Sequence, residues 1–312
     1  MEMIVLGLSV VLPLFVVMSI GYLSRKIKLI DDSGVGVVNR LVFWVFLPAI
    51  LFVSVYETDL KEVFNIPLIL FSVLGTTVVF VGSFILVPKL EKKRDRCGVV
   101  IQGLIRGNEV YFGFPIVVSL IGAQYLGLMS IVVAFAVIFY NGYSIFALEY
   151  FKGDTVDKKE IFKNLITNPF ILATFFAVAM NLVGIVIPDV LMTGIRSLAS
   201  VATPLALFLL GASFNFTSTK GYLNEVIWTT IFRLIIIPGI VIALSILMGF
   251  SSAEVVILFV TFGVPTAVAS YSMARQLNAD YELASQIVVY TSSFAILTVF
   301  IWTIVLQMLG VI

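Results

Sequence analysis

The sequence predicts an all-α polytopic membrane protein: ten transmembrane helices form two inverted five-helix repeats, with the fourth and ninth helices broken and crossing at the membrane midplane. Three observations carry that prediction. First, 61% of the 312 residues are apolar and only 12% are charged, with a mean hydropathy of +1.14, whereas soluble domains carry about 25% charged residues. Second, ten stretches approach or exceed the roughly 20 apolar residues that a span requires. They run over 3–23, 36–56, 66–88, 97–121, 125–149, 167–187, 190–213, 224–249, 253–275 and 283–309. Third, the fourth and ninth stretches are interrupted by glycine, proline and polar residues, in RGNEVYFGFP from Arg106 and TFGVPTAVASY from Thr261. Two broken spans in corresponding places are the sequence pointer to a secondary transporter's binding site.

The first stretch carries Pro13, and its cations, Arg25, Lys26 and Lys28, follow the apolar run instead of leading it. It reads as a retained span with the amino terminus outside, not as a cleaved leader. Asp31-Asp32-Ser33 supplies a helix cap for the second span, in which Arg40 can snorkel to the headgroups and Pro48 frees a mid-depth carbonyl that needs a neighbour. The cationic loop Lys89 to Arg96 ends the third span and anchors topology, and Cys97 beside it reads as a small interfacial hydrophobe. Arg106 lies nine residues past Cys97, roughly 13 Å deep at 1.5 Å per residue. In the fifth span, Tyr140, Asn141 and Tyr143 either line the same cavity or bond between helices.

Residues 151–166 form a charged linker, after which the plan starts again. Pro204 in the seventh span answers Pro48, and Pro265 in the ninth answers Pro115, at offsets of about 150 residues. The chain therefore divides into a first repeat, 1–150, the linker, 151–166, and a second repeat, 167–312. Five spans per half is an odd number, so the halves face opposite ways.

Of the 19 Lys and Arg residues, this arrangement places 14 on one side, one (Lys61) on the other, and four (Arg40, Arg106, Arg196 and Arg233) inside spans. The positive-inside rule then puts both termini on the extracytoplasmic side of a cell membrane. The basic residues sit in short loops, not in one patch, so nothing points to nucleic acid. One cysteine and no histidine exclude an intrachain disulfide, Cys/His metal sites and any histidine-assisted nucleophile. No GxxxxGK[ST] loop is present for ATP. The reading is not an enzyme, with no cofactor beyond a coupling H⁺ or Na⁺.

If the two breaks cross, the amino ends of their second halves, near Pro115 and Pro265, bring positive dipole ends and free N–H groups together as an anion cradle. Asn108, Thr266 and Ser270 would add neutral hydrogen bonds, and Tyr111 and Tyr271 an amphipathic wall. Small or amphipathic carboxylates fit such a site. Glu109 has three readings: a neutral pair with Arg106 at helical spacing, a protonated group carrying the coupling proton, or a sodium ligand. Arg233 is a partner for Glu109 or a second anion contact.

The ten-span plan, GNEVYFGFP and the run VPTAVASYSMARQLNADYELASQIVVY resemble the auxin efflux carrier family, which includes plant PIN-type carriers and bacterial malonate and malate carriers. The resemblance covers the whole chain. It implies the crossover fold shared with bile-acid symporters and sodium/proton antiporters. It also implies elevator-type transport, in which spans three to five and eight to ten move against a scaffold of spans one, two, six and seven, and homodimerisation through that scaffold. Asn108 matches the family's crossover asparagine, and Pro115 and Pro265 flank the crossing. Glu109 departs from the small residue common there, and Ala269 stands where many relatives have asparagine. The expected function is secondary transport of an organic anion, such as malonate, malate or an auxin-like carboxylate, across the lipid bilayer. A substrate-sensing receptor on the same fold is the alternative.

Overall fold

The computed structural model describes residues 16–57, 65–152, 166–213 and 221–312, together with Pro13, Lys159, Phe162 and Lys163. The described chain is helical. The helices are α1 (residues 16–26), α2 (Asp32–Tyr56), α3 (Ile66–Leu90), α4 (Arg94–Ile105), α5 (Phe114–Ile121), α6 (Leu126–Phe151), α7 (Pro169–Val183), α8 (Asp189–Ser213), α9 (Leu223–Leu247), α10 (Ser252–Gly263), α11 (Ala269–Gln276) and α12 (Tyr281–Met308). Six of them, α2, α3, α6, α8, α9 and α12, are each long and apolar enough to cross a bilayer. The chain is thus a multi-pass membrane protein. The expected fourth and ninth spans are each two short helices, α4 with α5 and α10 with α11. Most of the expected first span lies outside the described residues.

The start signals are local. Asp31 caps α2 by accepting from the Gly34 N–H, and Asn65 caps α3 through the Leu68 N–H, with Pro67 in the first turn. Ser251 and Glu254 close a capping box on α10. Proline shapes the interiors. Single π-helical turns, Val42–Phe46, Glu109–Gly113 and Phe232–Ile236, each end two residues before a proline: Pro48, Pro115 and Pro238. A proline cannot donate to the carbonyl four residues back and its ring crowds that turn, so the helix widens locally. At Pro238 the freed carbonyl is that of Leu234, and it accepts the Trp302 indole N–H at 2.8 Å.

The helices pack in two groups. In one, α2 lies against α7 and α8, and α1 meets α8 where Gly21 faces the Phe208 carbonyl and Gly211 faces that of Met18. A Cβ on either glycine would fall within 2.0 Å of those oxygens. Tyr56 ties the far end of this group, donating to the Ile185 carbonyl at 2.9 Å and accepting from the Ile187 N–H. In the other group, α3, α4 and α6 pack together, α9 packs on α10 and α12, and α4 joins both sets through α12 and α9. At one end, Arg96 of α4 pairs with Glu225 of α9 and lies 3.5 Å from Asp280 at the start of α12. Burial pushes the Asp280 carboxyl above its ordinary range.

Candidate functional site

The two helix breaks bond to each other. After α4 ends at Ile105 the backbone is extended at Arg106, and after α10 ends at Gly263 it is extended at Val264. Gly107 and Thr266 then form an antiparallel bridge. The Asn108 N–H donates to the Pro265 carbonyl at 2.9 Å, and the Ala267 N–H to that of Arg106 at 3.1 Å. Irregular backbone at membrane depth must find such partners.

The carbonyls orphaned at the ends of α4 and α10 are satisfied by side chains. The Thr266 hydroxyl donates to Gly103 O at 2.8 Å. Arg233, 1% exposed, donates from Nη1 to Leu104 O at 3.0 Å, from Nε to Val264 O at 2.9 Å, and from Nη2 to Thr261 O at 3.4 Å. One guanidinium therefore caps the negative ends of both half-helices, where a cation is favoured. Its place on the π-helical turn before Pro238 aims it there. Gly107 leaves it room, since a Cβ at that position would lie 2.2 Å from Arg233 Nη2 and 2.6 Å from Glu109 Oε1.

On the other side of the bridge lies a cavity of about 90 Å³. Arg106, Gly107, Asn108 and Glu109 form its polar floor with Ala267, Val268 and Ala269, while α2, α6 and α8 supply mostly apolar walls, including Ile50, Leu51, Val133 and Val137. Ser54, Ser130, Tyr140 and Thr203 add hydroxyls. The cavity thus sits between the two packing groups. Asn108 is 6% exposed and its Nδ2 has no hydrogen-bond partner among the described residues. Arg106, 3% exposed, donates from Nη1 to the Met273 sulfur at 3.6 Å and lies over the Phe170 ring, 5.5 Å from its centroid, while its Nε is unpartnered. The Tyr140 hydroxyl donates to Glu109 Oε2 at 3.3 Å. At α11, the first N–H groups, those of Val268 and Ala269, have no acceptor among the described residues.

The residues singled out from sequence separate into two sets. Arg106, Asn108 and Glu109 come together on the cavity, with Tyr140 opposite. Arg106 and Glu109 form no ion pair among the described residues; Glu109 Oε1 instead shares the space beside Gly107 with Arg233 Nη2. Pro265 and Thr266 belong to the bridge, and the Thr266 hydroxyl is already committed. Pro115 stands in the first turn of α5, Ser270 is buried with an unpartnered hydroxyl, and Tyr271 packs on Tyr281 while accepting from Arg275 at 2.9 Å; none of the three lines the cavity. The Tyr111 side chain lies outside what the structure describes. Ser54, Ser130 and Thr203 were not foreseen, because one hydroxyl in an apolar helix carries no periodic signal. Tyr143, by contrast, shares a 2.9 Å hydrogen bond with Thr77 and stacks on Phe80.

Comparison with known proteins finds membrane transporters. An uncharacterized transporter of Methanocaldococcus jannaschii is 23% identical over 309 residues, covering 95% of this chain and 97% of its own. A Rhizobium meliloti protein named "Putative malonate transporter" is 25% identical over 304 residues, 93% of each chain. An uncharacterized transporter of Escherichia coli is 24% identical over 282 residues, 86% of this chain and 87% of its own. These are membrane transporters and not enzymes. With residues 6–303 matched, the chain belongs to the membrane transport protein family, the auxin efflux carrier family of the sequence reading.

Proposed function

We propose that the protein is a secondary carrier of small organic anions, with the substrate held at the crossing of two broken helices. The carrying observation is the cavity between the two packing groups, where the free Asn108 amide, the Arg106 guanidinium and the N–H groups opening α11 converge. In this reading α4 with α5 is the fourth of ten spans and α10 with α11 the ninth, in two inverted five-helix repeats. Both termini are extracytoplasmic, so the cavity opens on the outer half of the membrane. The group containing α1, α2, α7 and α8 is the scaffold and the homodimer surface, and the other group carries the site across the bilayer as an elevator. The relative named for malonate supports an organic acid as cargo. Glu109, beside the site and held by Tyr140, is the residue for a coupling H⁺ or Na⁺.

Charge movement in proteoliposomes on a solid-supported membrane tests this, with malonate, malate, other short carboxylates and indole-3-acetate as substrates. Substrate currents are expected in the wild type and are lost in Asn108→Ala. Glu109→Gln is expected to keep binding and lose the dependence on pH or sodium. Binding without any current would leave a receptor, and undiminished transport by Asn108→Ala would remove the crossing from the mechanism.

A further inference from the structure

The charges around the cavity do not cancel, and the remainder specifies the cargo. Among the described residues, three charged side chains are buried there: Arg106, Glu109 and Arg233. Arg233 is committed to three backbone carbonyls, and its remaining field falls on Glu109, whose Oε1 shares the space beside Gly107 with Arg233 Nη2. Those two lie side by side and opposite in charge, with no ion pair between them among the described residues. Arg106 is left with a thioether and an aromatic face, and no carboxylate pairs with it among the described residues. A cation–π contact offsets only part of what a guanidinium loses on burial. The Arg106 Nε remains without an acceptor beside a cavity that also holds the unpartnered Asn108 Nδ2.

We propose that Arg106 is the substrate's counter-ion, and that with Asn108 it selects a carboxylate bearing a single negative charge and a short apolar remainder. The inference rests on the anion-carrier reading and narrows it. One carboxylate oxygen takes the Arg106 guanidinium in a charge-assisted bond, and the other takes the Asn108 Nδ2–H and the N–H groups that open α11. The rest of the ligand meets Leu47, Ile50, Leu51, Val133 and Val137. A cavity of about 90 Å³ restricts the ligand to a small acid. A second carboxylate would face aliphatic walls, neutral hydroxyls or Glu109, with Arg106 the sole cation in the described lining, and an unpaired buried charge is disfavoured far more than a methyl group is. The bound anion would also draw Arg106 off Phe170, one of the contacts between the two helix groups.

Butanoate and malonate are close in size and differ in charge, so they are the probes. Isothermal titration of the purified wild type at neutral pH, where malonate carries two charges, is expected to give butanoate at least tenfold tighter binding than malonate. Arg106→Gln is expected to weaken butanoate at least tenfold, and Arg106→Lys to restore most of it. The uncharged analogue butanamide should be insensitive to Arg106→Gln, which a merely structural role for the arginine would not produce. Malonate binding as tightly as butanoate, or butanoate binding unchanged in Arg106→Gln, overturns the assignment while leaving an organic-anion carrier in place. If Arg106→Gln fails to fold, the wild-type malonate to butanoate ratio and Arg106→Lys still decide the matter. Absence of binding by every carboxylate in the transport panel would sink the carrier reading along with it.

Discussion

Arg233 holds the crossing together from beneath, through bonds to residues 31 and 129 positions away in the chain. Replacing it with methionine leaves the Leu104, Thr261 and Val264 carbonyls without their donor and Glu109 without its nearest cation. A loss of about 3–5 kcal/mol is expected, measured as a fall in Tm of the purified protein, with substrate binding abolished. Arg233→Lys should recover only part of this, because an ammonium group cannot spread three donors in one plane. The sequence shows why Arg106, Asn108 and Glu109 are exceptional, since three polar residues within four positions of an apolar span have no bland explanation. It does not show what Arg233 does. Its acceptors are backbone carbonyls, which no side-chain code records, and they become available only where two distant helices end. Thr266 and Tyr271 illustrate the converse, being suitable in chemistry for a ligand yet already engaged within the fold.

At the scale of the helix, each π-helical turn is the local answer to a proline, and the turn at Phe232–Ile236 decides where Arg233 points. Its stability depends on the Leu234 carbonyl finding the Trp302 indole of α12. Trp302→Phe removes that donor together with part of the indole's packing on Gly239 and Phe259, so it should cost about 1–3 kcal/mol. Because the turn would then relax, substrate affinity should fall in parallel with Tm; an unchanged Tm would mean that Leu234 is satisfied some other way. The helices themselves were legible from apolar length, and the breaks from glycine and proline. The halves of each broken span were legible as well, because Arg106 and Pro265 interrupt them at similar depth. The widened turns were not, since the sequence marks the proline but not how the preceding turn absorbs it.

For the molecule as a whole, the contacts between the two helix groups are few and polar at one end. The Asn39 amide donates to the Ser272 carbonyl at 3.3 Å, Arg275 reaches the Asp32 carbonyl at 3.5 Å, and the Arg106 guanidinium lies over the Phe170 ring of α7 at 5.5 Å. If relative motion of the groups moves the substrate, cross-linking Asn39→Cys to Ser272→Cys should abolish transport currents and leave binding intact, with reduction restoring the currents. Continued transport in the linked protein would exclude motion at that contact. The native Cys97 is buried and offers no competing thiol. Composition marks the chain as a multi-pass membrane protein, but the division into two groups depends on which faces meet, as at Gly21 and Gly211, and single glycines do not name their partners. The bridge between the breaks also imposes an order on biosynthesis. Thr266 follows Gly103 by 163 residues, an interval of about 10–30 s at ordinary rates of translation. Throughout it, the first break sits in the bilayer with Arg106, Asn108 and Glu109 lacking the second strand of their bridge, so the nascent chain must shelter them with water or the insertion machinery until the second break arrives.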